Sequence, residues 1–269
     1  MYDYHVHSAL CRHATGAAAD YVLAARTTGV AELGFTDHAP APDGYDPGNR
    51  MVMEQFPRYR DEVAAAAAAA PEPVVLFGIE ADYYPAGVGF LRDWLPAQKF
   101  DLVLGAVHYI GGWGFDNPTA LRAWESVDVT GAWREYFRLL GELAATRLFD
   151  VVAHLDLPKK FGHRPKDREV IEMAQPVLDR IAAAGMGLEI STSGLRKAVK
   201  EIYPSPFLLA LARERQIPIC FGSDAHRPED VAFAFDQALA LARAAGYTQM
   251  LQCRRREPTL VPIVGQAKT

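Results

Sequence analysis

Seven short, nearly continuous apolar runs recur along this chain, at residues 2–7, 32–36, 74–81, 101–108, 150–154, 187–192 and 218–223. Turn residues bound each of them. Apolar runs of this length, without polar alternation, fit strands buried on both faces of a parallel sheet. Between them lie helical stretches, at 20–29, 53–70, 131–148, 167–185, 206–216 and 227–246. The second carries seven consecutive alanines, 64 to 70, stopped by Pro71. Alanine is the best helix former, so this run reads as plain helix rather than disorder. Seven βα units point to a (β/α) barrel, a fold that chains of this length commonly fill as one domain. With 269 residues, half of them hydrophobic, no internal repeat and no dividing linker, the expected domain spans 1–269.

In such barrels the active site lies at the C-terminal ends of the strands. Seven of the eight histidines fall at or just beyond predicted strand ends: His5, His7, His13, His38, His108, His154 and His226. Glu80 and Asp224 join them. His163 sits off any strand end and reads as surface. His5 and His7 are two apart, as are Asp224 and His226, and alternate strand residues share a face. Each pair can therefore aim at one ion, although a buried pair satisfied by hydrogen bonds would look the same. Glu80 ends the apolar run Val75-Leu76-Phe77-Gly78-Ile79, where a carboxylate is costly unless paired or ligated. It reads either as a salt-bridged acid or as a carboxylate shared by two ions. Asp37 likewise has two readings, a group that orients a ligand from behind or a helix cap. Cys11 reads as a bystander in a nitrogen–oxygen set. Imidazole and carboxylate suit Zn, Fe and Mn alike.

Composition narrows the class of activity. The formal net charge of −5 lacks the basic footprint of a nucleic-acid binder. Three cysteines without paired spacing suggest a reducing compartment. No signal peptide is expected ahead of the first motif, and no apolar run approaches a membrane span. A cytoplasmic enzyme acting on a small molecule, with no membrane partner, is the expectation.

The order His5-Val6-His7, Thr36-Asp37-His38, Gly78-Ile79-Glu80, Val107-His108, Ala153-His154 and Ser223-Asp224-Ala225-His226 resembles the polymerase and histidinol-phosphatase (PHP) family almost end to end. Within that family the stretches Val107–Asp116, Thr192–Lys197 and Glu201–Pro206 look most like those of histidinol-phosphatases. The resemblance implies a distorted, TIM-like (β/α)7 barrel of PHP type holding three divalent ions. The first would take His5, His7, Glu80 and Asp224. The second would take Glu80, His108 and His154, and the third His13, His38 and His226.

The implied reaction is metal-dependent hydrolysis of a phosphate monoester, most simply L-histidinol phosphate in histidine biosynthesis. Two ions bridged by Glu80 would acidify a shared water, and the metal-bound hydroxide, held by Glu80 and Asp224, would attack phosphorus in line. Arg196, after the sixth strand, is the expected phosphate clamp. Lys160, after the fifth, is a second candidate, and Trp113, in the loop after the fourth, is expected to cover the substrate pocket. Rival readings are the same fold acting on a nucleotide or sugar phosphate, an amidohydrolase-type barrel, and a metal-binding domain without turnover. The amidohydrolase pattern often places a bridging lysine on strand four, where this chain offers His108.

Overall fold

The computed structural model describes residues 1–69 and 71–263. Ala70, where the sequence ended its second helix, and residues 264–269 of the expected domain lie outside this description. Seven parallel strands pair in chain order: β1 (Tyr2–Val6), β2 (Glu32–Phe35), β3 (Val74–Asp82), β4 (Leu102–Ala106), β5 (Val151–Val152), β6 (Gly187–Ser191) and β7 (Ile219–Gly222). Helices α1 (Ala18–Thr28), α2 (Phe56–Ala69), α3 (Val88–Ala97), α4 (Val129–Thr146), α5 (Asp167–Ala184), α6 (Pro206–Glu214) and α7 (Phe235–Ala244) follow them in turn. The seven-stranded barrel expected from the apolar runs is therefore the observed fold.

The ring nearly closes between β7 and β1. Just beyond the strands, His7 N donates to Ala225 O (2.9 Å) and Ala225 N to His5 O (3.2 Å). Deeper in the seam a buried side chain replaces the ladder. The Asp3 carboxylate accepts from Ser223 N (2.9 Å), Ser223 Oγ (2.6 Å) and Ala232 N (2.9 Å). Burial pushes the Asp3 pKa up even so, because these hydrogen bonds do not fully replace water.

Two apolar layers hold the barrel. Tyr4, Leu76, Leu102, Leu104, Val151 and Cys220 form a compact cluster with Leu251 and Cys253. A larger cluster packs the opposite strand faces, including Leu33, Ile79, Val103 and Ile219, against helices. Leu251 and Cys253 belong to a feature the sequence reading did not anticipate. This is an antiparallel hairpin, β8 (Gln249–Arg254) and β9 (Glu257–Pro262), that carries two apolar side chains onto the strand cluster. The arginine run at 254–256 ties the hairpin to the barrel. Arg254 reaches Glu32 (2.5 Å), and Arg256 reaches Asp150 (2.9 Å) and Leu148 O (2.7 Å).

Other boundaries moved. Helix α3 was missed, because Gly89 and Pro96 interrupt its pattern, yet Leu91, Trp94 and Leu95 bury one face. The last helix starts at Phe235 rather than 227. Pro228 opens a 3-10 turn, and Ala232 and Ala234 take left-handed φ of 55° and 53°, which a continuous helix cannot contain. Strand β5 shrinks to two residues. Among the described residues no helix is long and apolar enough to cross a membrane.

Candidate metal centre and substrate cavity

All nine expected ligands meet at the C-terminal mouth of the barrel. His5 lies in β1 and His7 one residue past it. His38 follows β2 and is bridged to β3 beside Glu80, with Glu80 N donating to Asp37 O (3.0 Å) and Ala39 N to Glu80 O (2.8 Å). His108 and His154 each stand two residues beyond β4 and β5, and Asp224 two beyond β7. His154 and Asp224 have φ of 27° and 50°, rare for residues with a side chain and characteristic of functional sites.

Glu80 is the centre of the arrangement. Its Oε1 faces His154 Nε2 (3.0 Å) and His108 Nε2 (3.7 Å), whereas Oε2 faces His38 Nδ1 (2.9 Å), His5 Nε2 (3.6 Å) and His7 Nε2 (3.8 Å). Asp224 Oδ1 completes that second group at 3.2 Å from His7 Nε2 and 3.8 Å from His5 Nε2. Ligand bonds of about 2.0–2.2 Å place the corners of a tetrahedron roughly 3.3–3.6 Å apart, so the separations of 3.6–3.8 Å suit a shared ion better than a direct hydrogen bond, while those of 2.9–3.2 Å are of hydrogen-bond length. His5 Nε2, both nitrogens of His7, His38 Nδ1 and Glu80 Oε2 are buried without any hydrogen-bond partner. Buried polar atoms in such numbers demand an explanation, and a divalent cation supplies one. On the outer side His13 Nε2 and His226 Nε2 lie 2.8 Å apart. Cys11 Sγ is within 4.8 Å of ring nitrogens of both, nearer the ligands than a bystander need be.

The charges agree with this. Burial disfavours an ionised Glu80, yet His38, His5 and His108 hold its carboxyl well below the usual range. Asp224 is depressed in the same way by His5, His7 and His226. Burial also works against a charged His108, but Asp82 and Glu80 push its pKa up to about 10. The pocket thus draws positive charge toward two buried carboxylates.

Side chains behind the ligands fix their orientation. Asp37 accepts from Ser8 N (3.2 Å) and His38 N (2.7 Å), and its Oδ1 stands 3.5 Å from His7 Nδ1. Two further carboxylates escaped the sequence reading. Asp82 bonds His108 Nδ1 and the buried Arg50 guanidinium. Glu189 bonds His5 Nδ1 at 2.7 Å. Both carried a signal that went unused. Asp82 lies two residues beyond Glu80, hence on the same strand face, and Glu189 is a lone acid inside an apolar run, the criterion that singled out Glu80.

A cavity of about 630 Å³ opens over the ligands. Arg196, Lys197 and Lys160 line it together with Asp46, Asp116 and Tyr109. Arg196 Nη2 donates to Ser223 O (2.7 Å) and Asp224 O (3.0 Å), while its Nη1 is buried without a partner. Lys160 lines the cavity but is paired with Asp116 at 3.0 Å. Lys197 also lines the wall, and burial lowers its pKa. The expectation for Trp113 fails. Its ring packs 4.7 Å from Trp124 and 6.3 Å from Phe115 and does not line the cavity, since the loop closes on its own aromatics. His163 is not a free surface residue but stacks on Trp124 with rings 5.2 Å apart.

Comparison with known proteins bears on the same residues. The family model for the PHP domain matches residues 3–193, and that for a PHP-associated region matches 209–235. A Deinococcus radiodurans protein named "Probable histidinol-phosphatase" is 42% identical over 258 residues, covering 95% of this chain and 98% of its own. A histidinol-phosphatase of Bacillus subtilis is 26% identical, covering 88% and 97%. The crystal structure of the Lactococcus lactis histidinol phosphate phosphatase, complexed with Zn, L-histidinol and phosphate, superposes with a TM-score of 0.84. It is 21% identical and the match covers 96% of this chain and 98% of that one, a likeness of fold. With a family model spanning most of the chain and a relative this similar over nearly all of it, the chain belongs to the PHP domain family.

Proposed function

We propose that this chain hydrolyses a phosphate monoester, and that the ester is L-histidinol phosphate, released as L-histidinol and phosphate. The observation that carries the reading is the division of Glu80, one oxygen to each of two ligand groups, beneath a cavity lined by Arg196. The 42% identity to the Deinococcus protein supports the choice of ester.

We assign three divalent ions, Zn, Fe or Mn, to His5/His7/Glu80/Asp224, to Glu80/His108/His154 and to His13/His38/His226. Bound there, such ions supply positive charge to phosphoryl oxygens and acidify water toward neutral pH. The chain's own residues do the rest. Arg196 is held by two carbonyls with its second terminal nitrogen free, a donor arranged before substrate arrives. Lys197 adds a compact charge on the same wall. Lys160, tied to Asp116, contributes to binding by keeping that acid neutralised beside the phosphate. Asp46, held by Tyr109 Oη (2.8 Å) and Asn49 Nδ2 (2.7 Å) and paired with Arg50 (3.4 Å), lines the wall with an acid whose charge Arg50 partly offsets, polar surface for a substrate's cationic end. Histidinol phosphate has both ends, a dianionic phosphate and an ammonium with an imidazole. Asp37, Asp82 and Glu189 orient the ligating rings from behind. We place this reaction in the cytoplasm, as a single-domain enzyme. All three cysteines are free and buried, which suits a reducing compartment.

The test is phosphate release from L-histidinol phosphate and from a panel of nucleotides and sugar phosphates, with bound metal quantified. Turnover of the first should exceed the rest, and Glu80→Ala should lose metal and activity together. A metal-free Glu80→Ala protein with full activity would defeat the reading.

A further inference from the structure

Glu189 is fully buried in β6, outside the cavity lining. Its two oxygens serve two different ligand groups. Oε1 lies 2.7 Å from His5 Nδ1, and Oε2 accepts a hydrogen bond from His154 N (2.9 Å). His5 faces Oε2 of Glu80 and His154 faces Oε1. Glu189 thus repeats from behind the division that Glu80 makes in front.

An ionised carboxylate can only accept, so the proton of this contact sits on His5 Nδ1. That leaves the Nε2 lone pair for Glu80 and Asp224, the side on which Nε2 is buried without a partner. On the other oxygen the bond secures a backbone at φ 27°, from which the His154 ring projects. Strained backbone of this kind persists only where its surroundings determine it. The neighbouring strand makes room. A Cβ on Gly222 would fall 1.9 Å from Glu189 Oε1 and 2.7 Å from His5 Cβ.

We infer that Glu189 is a positioning residue that fixes the His5 tautomer and the His154 backbone together, and so sets the spacing of the two metal subsites. This rests on the metal reading above. Carboxylates behind metal-bound histidines raise ligand basicity, and their loss typically weakens metal binding about 10–100-fold.

The experiment compares wild type with Glu189→Gln, each stripped by chelator and titrated with Zn, with bound metal counted and thermal midpoints taken with and without Zn. The expected result is an affinity about 10–100-fold weaker for the tightest ion and a smaller Zn-induced rise in midpoint. In a His5→Ala background the glutamine should change that affinity little further, because its remaining oxygen still accepts from His154 N and only the bond to His5 is altered. Long-range 15N NMR of wild type should show the His5 proton on Nδ1. Zn affinity that is unchanged in Glu189→Gln overturns the inference, as does full additivity with His5→Ala. A wild type that binds no Zn would instead sink the metal reading. In that event, or if the variant fails to fold, the NMR spectrum decides, and a proton on Nε2 overturns the inference.

Discussion

Gly222→Ala adds one methyl group at the most crowded point behind the centre. The new carbon would stand 1.9 Å from Glu189 Oε1 and 2.9 Å from its Cδ, far inside van der Waals contact. Neither β7 nor β6 can yield easily, since Ser191 is paired with Gly222 and Thr192 N donates to Gly222 O (3.0 Å). The carboxylate must swing away, losing the bonds to His5 (2.7 Å) and His154 N (2.9 Å). Hydrogen bonds to a charged group contribute about 1.5–3 kcal/mol each. The expected loss is therefore about 3–6 kcal/mol, a large share of the roughly 5–15 kcal/mol that holds a domain folded. Urea denaturation of metal-free wild type, Gly222→Ala, Glu189→Ala and the double variant measures it. Removing the carboxylate removes the two contacts with Glu189 and leaves only the 2.7 Å approach to His5 Cβ, so the double variant should lose clearly less than the sum of the two single changes. A Gly222→Ala protein within about 0.5 kcal/mol of wild type, or simple additivity in the double variant, would refute the reasoning.

Other consequences follow from the same structure. Asp3→Asn keeps the size of the seam residue but replaces one acceptor oxygen with a donor facing Ser223 and Ala232, and should cost about 2–4 kcal/mol in urea unfolding; an unchanged midpoint would show that Asp3 does not hold the β1–β7 seam. Arg256→Ala should lower stability by about 1–3 kcal/mol through its lost bonds to Asp150 and Leu148 while leaving kcat/KM alone, whereas a fall in kcat/KM would mean the hairpin communicates with the site. Arg196→Ala should reduce kcat/KM about 100-fold or more, the loss expected for a donor aimed at developing charge, and steady-state assays at fixed metal occupancy check it. Chelation should lower the thermal midpoint and Zn should restore it, because about 4 kcal/mol of stability comes from a ligand held at 1,000 times its Kd; coincident melting of both forms would argue that the ligand cluster binds no ion.

The barrel and the gathering of these imidazoles and carboxylates at its mouth were legible because both follow from local patterns. Apolar runs such as 101–108 mark buried strands wherever they occur, and the rule that function gathers at strand C-termini converts chain order into position. His108 and Glu80 could therefore be placed from neighbours a few residues away. What stayed hidden joins residues far apart in sequence. Glu189 meets His5 across 184 positions, and Lys160 meets Asp116 across 44. The 249–262 hairpin reads as ordinary surface until Leu251 and Cys253 are seen packed on the strand cluster. Trp113 had the composition of a pocket wall, but Trp124 offered it a better apolar surface. By itself the sequence determined which imidazole and carboxylate side chains stand together at one end of the barrel, since periodicity and burial are local. Only the tertiary structure decided which carboxylate orients which imidazole and which cations stay free for phosphate, because a charge buried at the barrel mouth is answered by whatever partner the folded chain brings within about 3 Å.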